Sequence, residues 1–474
     1  MGIPNIMHTG RSGMTASRTA IATTGHNIAN ANTEGYSRQR VELEANITTD
    51  GPGEKNTIGQ GVKVNNISRV NDEYIEKELQ NGTRDHAHFE EKDIALQQLE
   101  EVFNELDGDG LNRIMSRFFN EFRKLSNDPD NEAIRQSIRE ATHALTNDFR
   151  RLRKEVEQVQ AHIDSRIAAY STEINAITDE VADLNQRIRA MEVRKASPND
   201  LKDRRDLLLR RLASYMAIST HKDGKGGINV DIKGVGPLVT GNIAQKFEVA
   251  RTQAKPEKGQ PENSLELRTS ASANSVVTHS IKGGKLGGLI AVRDQTLNTV
   301  LDRLDDLAYS ITKNVNHIHM QAVNREGMKG IPFFDDLATK ERASAYMKLS
   351  DAVAMNTNNI ATGFDLNAPG DNRASIAISQ LQYDRLLNDG QATMDDWFNS
   401  IVSDIGIVRN RNRASLAQTK NVMTHLQKMR DQVSGVSLDE ETANLLQYQH
   451  AFDASAKVIQ VSEEILDSIL SIKN

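Results

Sequence analysis

The chain has 474 residues, of which 38% are apolar, 26% charged and only 4% aromatic, and its formal net charge is −7. That length exceeds what one core can organise and points to about three domains. The acidic balance argues against nucleic acid as a partner, since phosphate binding needs a concentrated basic surface, and the absence of Cys excludes disulfides, thiolate chemistry and Cys-bound zinc.

The first thirty residues lack the basic end and apolar core of a cleavable secretory signal. They carry instead Met7, Met14, Ile21 and Ile28 at a spacing of seven, beside a line of mostly small residues, Ile3, Gly10, Ser17 and Thr24. Such a helix has a narrow apolar seam and lets a neighbour come close. It is expected to end in "GHNIANANTEGYSRQR", residues 25–40, where Asn competes for backbone groups and Gly35 suits a left-handed position. Residues 41–70 read as loop and short strands. From 71 to 194 the pattern is helical. Leu145, Phe149, Leu152, Val156, Val159, Ile163, Ile167, Tyr170, Ile174, Ile177, Val181, Leu184, Ile188 and Met191 recur in steps of four and three. This predicts a coiled-coil-like seam, with one stutter near Ile163, on a helix of roughly 70 Å. "FEEKDIALQQLEEVFNEL" is the candidate partner, and "SPND" from Ser197 reads as a break and restart.

At about Ile218 the texture changes. Ile228, Val230 and Ile232 alternate with polar residues, a turn is expected at Gly236–Pro237, and "KFEVART" and "LELRT" follow, so residues 218–284 read as an inserted β domain. Helix resumes at "LGGLIAVRDQ", residues 321–371 are irregular, and the last hundred residues return to helix. There Leu438, Leu445, Phe452, Ile459 and Leu466 fall every seven residues, with Tyr448, Ser455, Ser462 and Ile469 between them. Both ends are therefore heptad-patterned helices, each marginal alone in water, expected to pack on each other or on copies of themselves. No apolar run reaches the about eighteen residues of a membrane span, so no membrane insertion is expected.

Candidate chemistry is thin. "ELDGDG" at 105–110 fails the calcium-loop spacing, because Asn112 stands at the sixth position and Phe118 at the twelfth. His86/His88 and His317/His319 lie in helical surroundings, where a spacing of two splits their faces, so no metal is expected. The pairs Arg150–Arg151, Arg204–Arg205 and Arg210–Arg211 read as solvated faces or intersubunit salt bridges. Nucleotide, hydrolase and zinc-protease motifs are absent. Neither catalysis nor a cofactor is expected.

"NIANANTEGYSRQ" after a small-residue helix, and "VSGVSLDEETANLLQYQHAFDASAKVIQVSEEILDSIL" at the other end, resemble the rod, hook and hook-associated axial proteins of the bacterial flagellum. "SRFFNEFRKLSNDPDNEAIRQSIREA", "ASPNDLKDRRDLLLRRL", "GKLGGLIAVRDQTLNTVLDRLDDLAYSITKNVNHIH" and "GDNRASIAISQLQ" resemble the hook-associated, junction-forming branch of that family. The resemblance implies a mainly α fold with a small inserted β domain. Its layers would be a terminal coiled-coil domain (1–45 with 430–474), a mainly helical bundle (46–217 with 285–429) and the β insert (218–284).

It also implies an extracellular structural subunit at the hook–filament boundary, exported unfolded through the flagellar type III apparatus. The implied partners are copies of itself in a helical or ring-like assembly, the hook subunit, a second junction protein and an export chaperone. Another axial protein, or a cytosolic coiled-coil adaptor, is the alternative. Glu34 stands where the family commonly has Pro, and the short stretch after "GIPFF" implies that an outer domain of larger members is reduced or absent here. The expected assembly interface comprises Met7, Met14, Ile21, Asn27, Ile28, Asn30, Asn32, Leu438, Leu445, Tyr448, Phe452, Ile459, Leu466 and Ile469, with the Asn side chains setting register as a buried Asn does in a coiled coil.

Overall fold

A computed structural model of the chain describes residues 3–46, 59–103, 110–251, 265–270, 272–366, 368 and 370–472. Helix α1 (Ile3–Ala29) leads into an antiparallel hairpin, β1 (Gln39–Ala45) and β2 (Val62–Arg69). Helices α2 (Glu73–Val102), α3 (Leu111–Asn127), α4 (Glu132–Val193) and α5 (Asn199–Tyr215) follow. The side chains of Asp72 and Asn131 cap α2 and α4 by accepting from their first free N–H groups. "ELDGDG" lies, apart from Gly110, outside the described residues.

Helix α4 has 62 residues and is about 93 Å long. It exceeds the length read from its seam because Ile138 and Ala141 are already buried before Leu145. From Leu145 to Ile188 every expected seam residue is buried except Tyr170, which is half-buried, while Met191 is 37% exposed. The candidate partner is not sufficient by itself. α2 covers only part of the seam; α3, α5 and the strands of the insert cover the rest, because so long a stripe outruns any one neighbour. Phe118 and Phe122 of α3 meet Phe333 and Phe334 with ring centroids 5.4–6.0 Å apart, closing the core at one end.

Arg150 and Arg151 are both exposed, as a solvated face requires, but the reading of the other arginine pairs needs correction. Neighbouring helical residues point about 100° apart, so one member of a pair can turn inward while the other stays in water. Arg204 is exposed, but Arg205 is buried and donates from Nη1 to Asn185 Oδ1 (3.0 Å) and to Gly226 O (2.8 Å).

Strands β3 (Ile218–Lys222), β4 (Ile228–Ile232), β5 (Gly236–Thr240) and β6 (Ile243–Ala244) form one antiparallel sheet in that order. β7 (Phe247–Arg251), β8 (Leu265–Thr269) and β9 (Ser272–Val276) form a second. The turn expected at Gly236–Pro237 falls instead at residues 233–235, with Gly234 at φ +84°. Pro237 lies inside β5 next to a register shift, where a residue without an N–H is tolerated.

Helix α6 (Gly284–Ala291) runs through a π-helical turn (Val292–Leu297) into α7 (Asn298–Gln321). Short helices α8 (Ala343–Tyr346), α9 (Asp351–Met355) and α10 (Arg373–Gln380) punctuate the irregular stretch. His319 is fully buried there; Nδ1 donates to Ile331 O (2.7 Å) and Nε2 accepts from Ala361 N–H (2.9 Å). Both ring nitrogens are used by the backbone, and the described residues hold no cluster of metal-ligating groups. Helix α11 (Met394–Ser434) packs along α2, and α12 (Leu438–Ile472) returns to α1. No residue of α1 or α12 belongs to the main hydrophobic core.

Candidate assembly site: the terminal helix pair and its joint

The line of small residues on α1 makes the helix–helix contact. Gly10 lies against Ser455 and Ile459, and Asn27 against Glu441, so the two helices run antiparallel. A Cβ on Gly10 would stand 2.7 Å from Ile459 Cγ1, and one on Gly13 2.7 Å from Ser455 Oγ. Ala16, Ser17, Ala20, Thr23 and Thr24 continue the buried line. Two hydroxyls in the contact bond back to their own helices, Thr23 to Thr19 O and Ser462 to Val458 O.

Met7, Met14, Ile21 and Ile28 are half-buried beside this line, as are Leu445, Tyr448, Phe452 and Ile459 on α12. Leu438, Leu466 and Ile469 are 53%, 40% and 51% exposed. They are joined on the surface by Leu446, Val458, Val461, Ile465 and Leu470. One stripe of α12 is thus matched by α1, while Val458, Val461, Ile465 and Ile469 form a second that faces outward, more apolar surface than a lone helix pair can cover.

At the base of the pair the stretch 25–40 forms a joint. α1 ends at Ala29, and successive turns close from Ala31 N–H to Ile28 O and from Tyr36 N–H to Thr33 O. The last has Gly35 as its third residue at φ +83°, the type II arrangement that favours Pro at the position held by Glu34. Gly35 therefore takes the left-handed conformation six residues beyond the helix end rather than directly after it.

Asn27, 1% exposed, is the hub. Its Nδ2 donates to Gln39 O (2.9 Å) and Glu441 Oε2 (2.9 Å), and its Oδ1 accepts from the Tyr36 hydroxyl (2.8 Å) and Gln39 N–H (2.9 Å). Every hydrogen-bonding position of the amide is filled, and α1, the turn, β1 and α12 are tied through one side chain. Asn30 is half-buried and serves the local turn, donating to His26 O (3.0 Å); Asn32 is exposed. Of the three amides, one sits in the joint's interior.

Charged residues that periodicity does not mark complete the joint. Arg430 donates to Tyr36 O (2.9 Å) and Glu76 Oε1 (3.1 Å), Arg38 pairs with Glu440 (2.7 Å), and Arg38 N–H donates to Ser434 O (2.9 Å). Asp203 accepts from Ser37 N–H (3.2 Å) and from Arg69 (2.8 Å). Burial pushes the Asp203 carboxyl up against the pull of Arg69. Burial, helped by Asp200, Asp203 and Glu441, raises the Tyr36 phenol well above its ordinary value and keeps it a neutral donor. Only heptad patterning and the Asn run signalled this site; Glu76, Arg69, Asp203, Arg430 and Glu441 carry no local signature.

Known proteins share this architecture. The family described as the flagellar hook-associated protein FlgK helical domain matches residues 96–334, just over half of the chain. The flagellar basal body rod FlgEFG protein C-terminal family matches 430–472, and the flagella basal body rod protein family matches 7–36, so these two cover the terminal pair and its joint. The chain is 26% identical to flagellar hook-associated protein 1 of Bacillus subtilis, over 98% of this chain and 97% of that protein. It is 26% identical to the protein of that name from Salmonella typhimurium, over 98% of each, and 24% identical to that of Escherichia coli, over 99% of this chain and all of that one. The fold resembles the flagellar hook junction protein FlgK from Burkholderia pseudomallei, with a TM-score of 0.66 at 15% identity, across 75% of this chain and all of that one. Members of this family are structural proteins of the flagellum rather than enzymes. The chain belongs to the flagellar hook-associated protein FlgK family.

Proposed function

We propose that the protein forms the short segment joining hook to filament, outside the cell, after export unfolded through the flagellar type III apparatus. Copies pack through their terminal helix pairs in an inner layer (1–45 with 430–474), with the helical body and the strands of residues 218–284 progressively outward. The hook subunit contacts it on one side, a second junction protein on the other, and an export chaperone accompanies it before assembly. The observation that carries this reading is the outward apolar stripe of α12, which neighbouring copies would bury. A chain without Cys suits threading, because no cross-link can form on the way.

The test is Ile465→Asp, at a position 41% exposed and therefore harmless to the isolated subunit. The variant is expected to keep the wild-type circular dichroism spectrum and yet fail to support filaments, since a charge cannot be buried between copies. Full-length filaments on cells carrying it, or immunogold label spread along the filament instead of at the hook–filament boundary, would overturn the assignment.

A further inference from the structure

The four-stranded sheet ends in β3, which no other strand among the described residues covers. Ala217 O accepts from Lys233 N–H (3.0 Å), and Asp223 N–H donates to Gly227 O (3.1 Å). In an antiparallel ladder alternate residues face the partner strand. Residues 217, 219, 221 and 223 therefore face β4, and Ile218, Thr220 and Lys222 turn their N–H and C=O groups to the open edge. That edge lies along a cleft of about 730 Å³, walled by β3 on one side and by α2 from Glu73 to Arg84 on the other, with Leu209 and Ala213 of α5 in its floor. The volume is in the range of clefts that hold ligands.

The charge of the cleft selects its occupant. Its carboxylates are already engaged: Glu73 pairs with Lys222, Glu76 with Arg430, and Asp206 with Arg69. Lys77 and Lys233, also in the lining, have no ion pair among the described residues. We propose that this cleft accepts an acidic, extended segment of a partner protein as an added strand on β3. The outward backbone groups supply the pairing, and Lys77 and Lys233 select for acidic side chains. The cleft borders the joint of the terminal pair through Arg69 and Glu76, but the open edge of β3 is independent of the junction role.

A fluorescein-labelled hexapeptide of alternating Glu and Val, titrated against the full chain, tests it. Binding is expected for this peptide and not for the matching Lys–Val peptide. Hydrogen exchange should show new protection at the amides of Ile218, Thr220 and Lys222, with those of Ser219 and His221 unchanged. Thr220→Pro removes an outward N–H without touching the β4 ladder and should weaken affinity about tenfold or more, as should Lys77→Glu with Lys233→Glu. Should Thr220→Pro fail to fold, N-methylation of alternate peptide amides makes the same cut from the ligand side. Equal affinity for the two peptides, binding without protection of those three amides, or full affinity after N-methylation would each refute strand addition. Protection of these amides by self-association of the chain alone would replace the partner with a second copy and overturn the proposal.

Discussion

Asn27→Leu is the sharpest probe of the joint. Leu matches Asn roughly in size but can make none of the four hydrogen bonds, so the Tyr36 hydroxyl, Gln39 N–H and C=O, and Glu441 Oε2 all lose a partner. Gln39 is half-buried and water can replace its bonds, whereas Tyr36 and Glu441 are buried. Two buried groups left unpaired cost about 1–3 kcal/mol each, so the substitution should cost about 4 kcal/mol. The loss should be local, because α1 and α12 share no residue with the main core. Amide exchange in α1 and α12 is therefore expected to accelerate about a thousandfold. Exchange in α4 should be unchanged, read by hydrogen-exchange mass spectrometry on the monomer. Unaltered exchange in both terminal helices would show that Asn27 is not the tie, and equal acceleration in α4 would show that the joint is part of the global core.

Glu34→Pro should raise thermal stability, by about 0.4–1 kcal/mol, because the turn at residues 33–36 already favours Pro there; a lower melting temperature would mean that the backbone at Glu34 is not in that conformation. Gly10→Val should push α1 from α12 at a cost of about 1–3 kcal/mol, since a Cβ there meets Ile459 at 2.7 Å. The distance between labels on the two helices would report it, and an unchanged distance would contradict the close contact. Burial, with the nearby Arg135 guanidinium, holds His319 down to about 4. The unfolded chain thus takes up its proton near 6.5 while the fold refuses it. The stability that neutral His319 allows is complete above that pH and falls away as pH drops from about 6.5 to about 4, by about 3 kcal/mol in all. Urea unfolding across that range tests the slope, and an imidazole that titrates near 6.5 in the native protein would remove its cause.

The long seam of α4 and the heptads of α12 were legible because a 3.5-residue period needs only side-chain type and spacing, both local properties. The break at Ser197 and the alternation in β4 were legible for the same reason. So was the small-residue line of α1, although its Gly and Ser, rather than its Met and Ile, make the closest contact with α12. Misreadings arose where a neighbour decides. Arg205 turns inward because Asn185 and Gly226 O await it, and the turn between β4 and β5 settles on Gly234 because Pro237 can be absorbed by a register shift.

By itself the sequence determined the helical periods, the two amphipathic ends, the position of the β insert and the motifs that mark the family, since each is written in consecutive residues. Only the tertiary structure decided which surfaces cover α4, which of three asparagines is buried, and which charges meet at the joint. Glu76, Asp203, Arg430 and Glu441 come from four separate helices. A hydrogen bond depends on where folding brings its donor and acceptor, and no spacing along the chain records that.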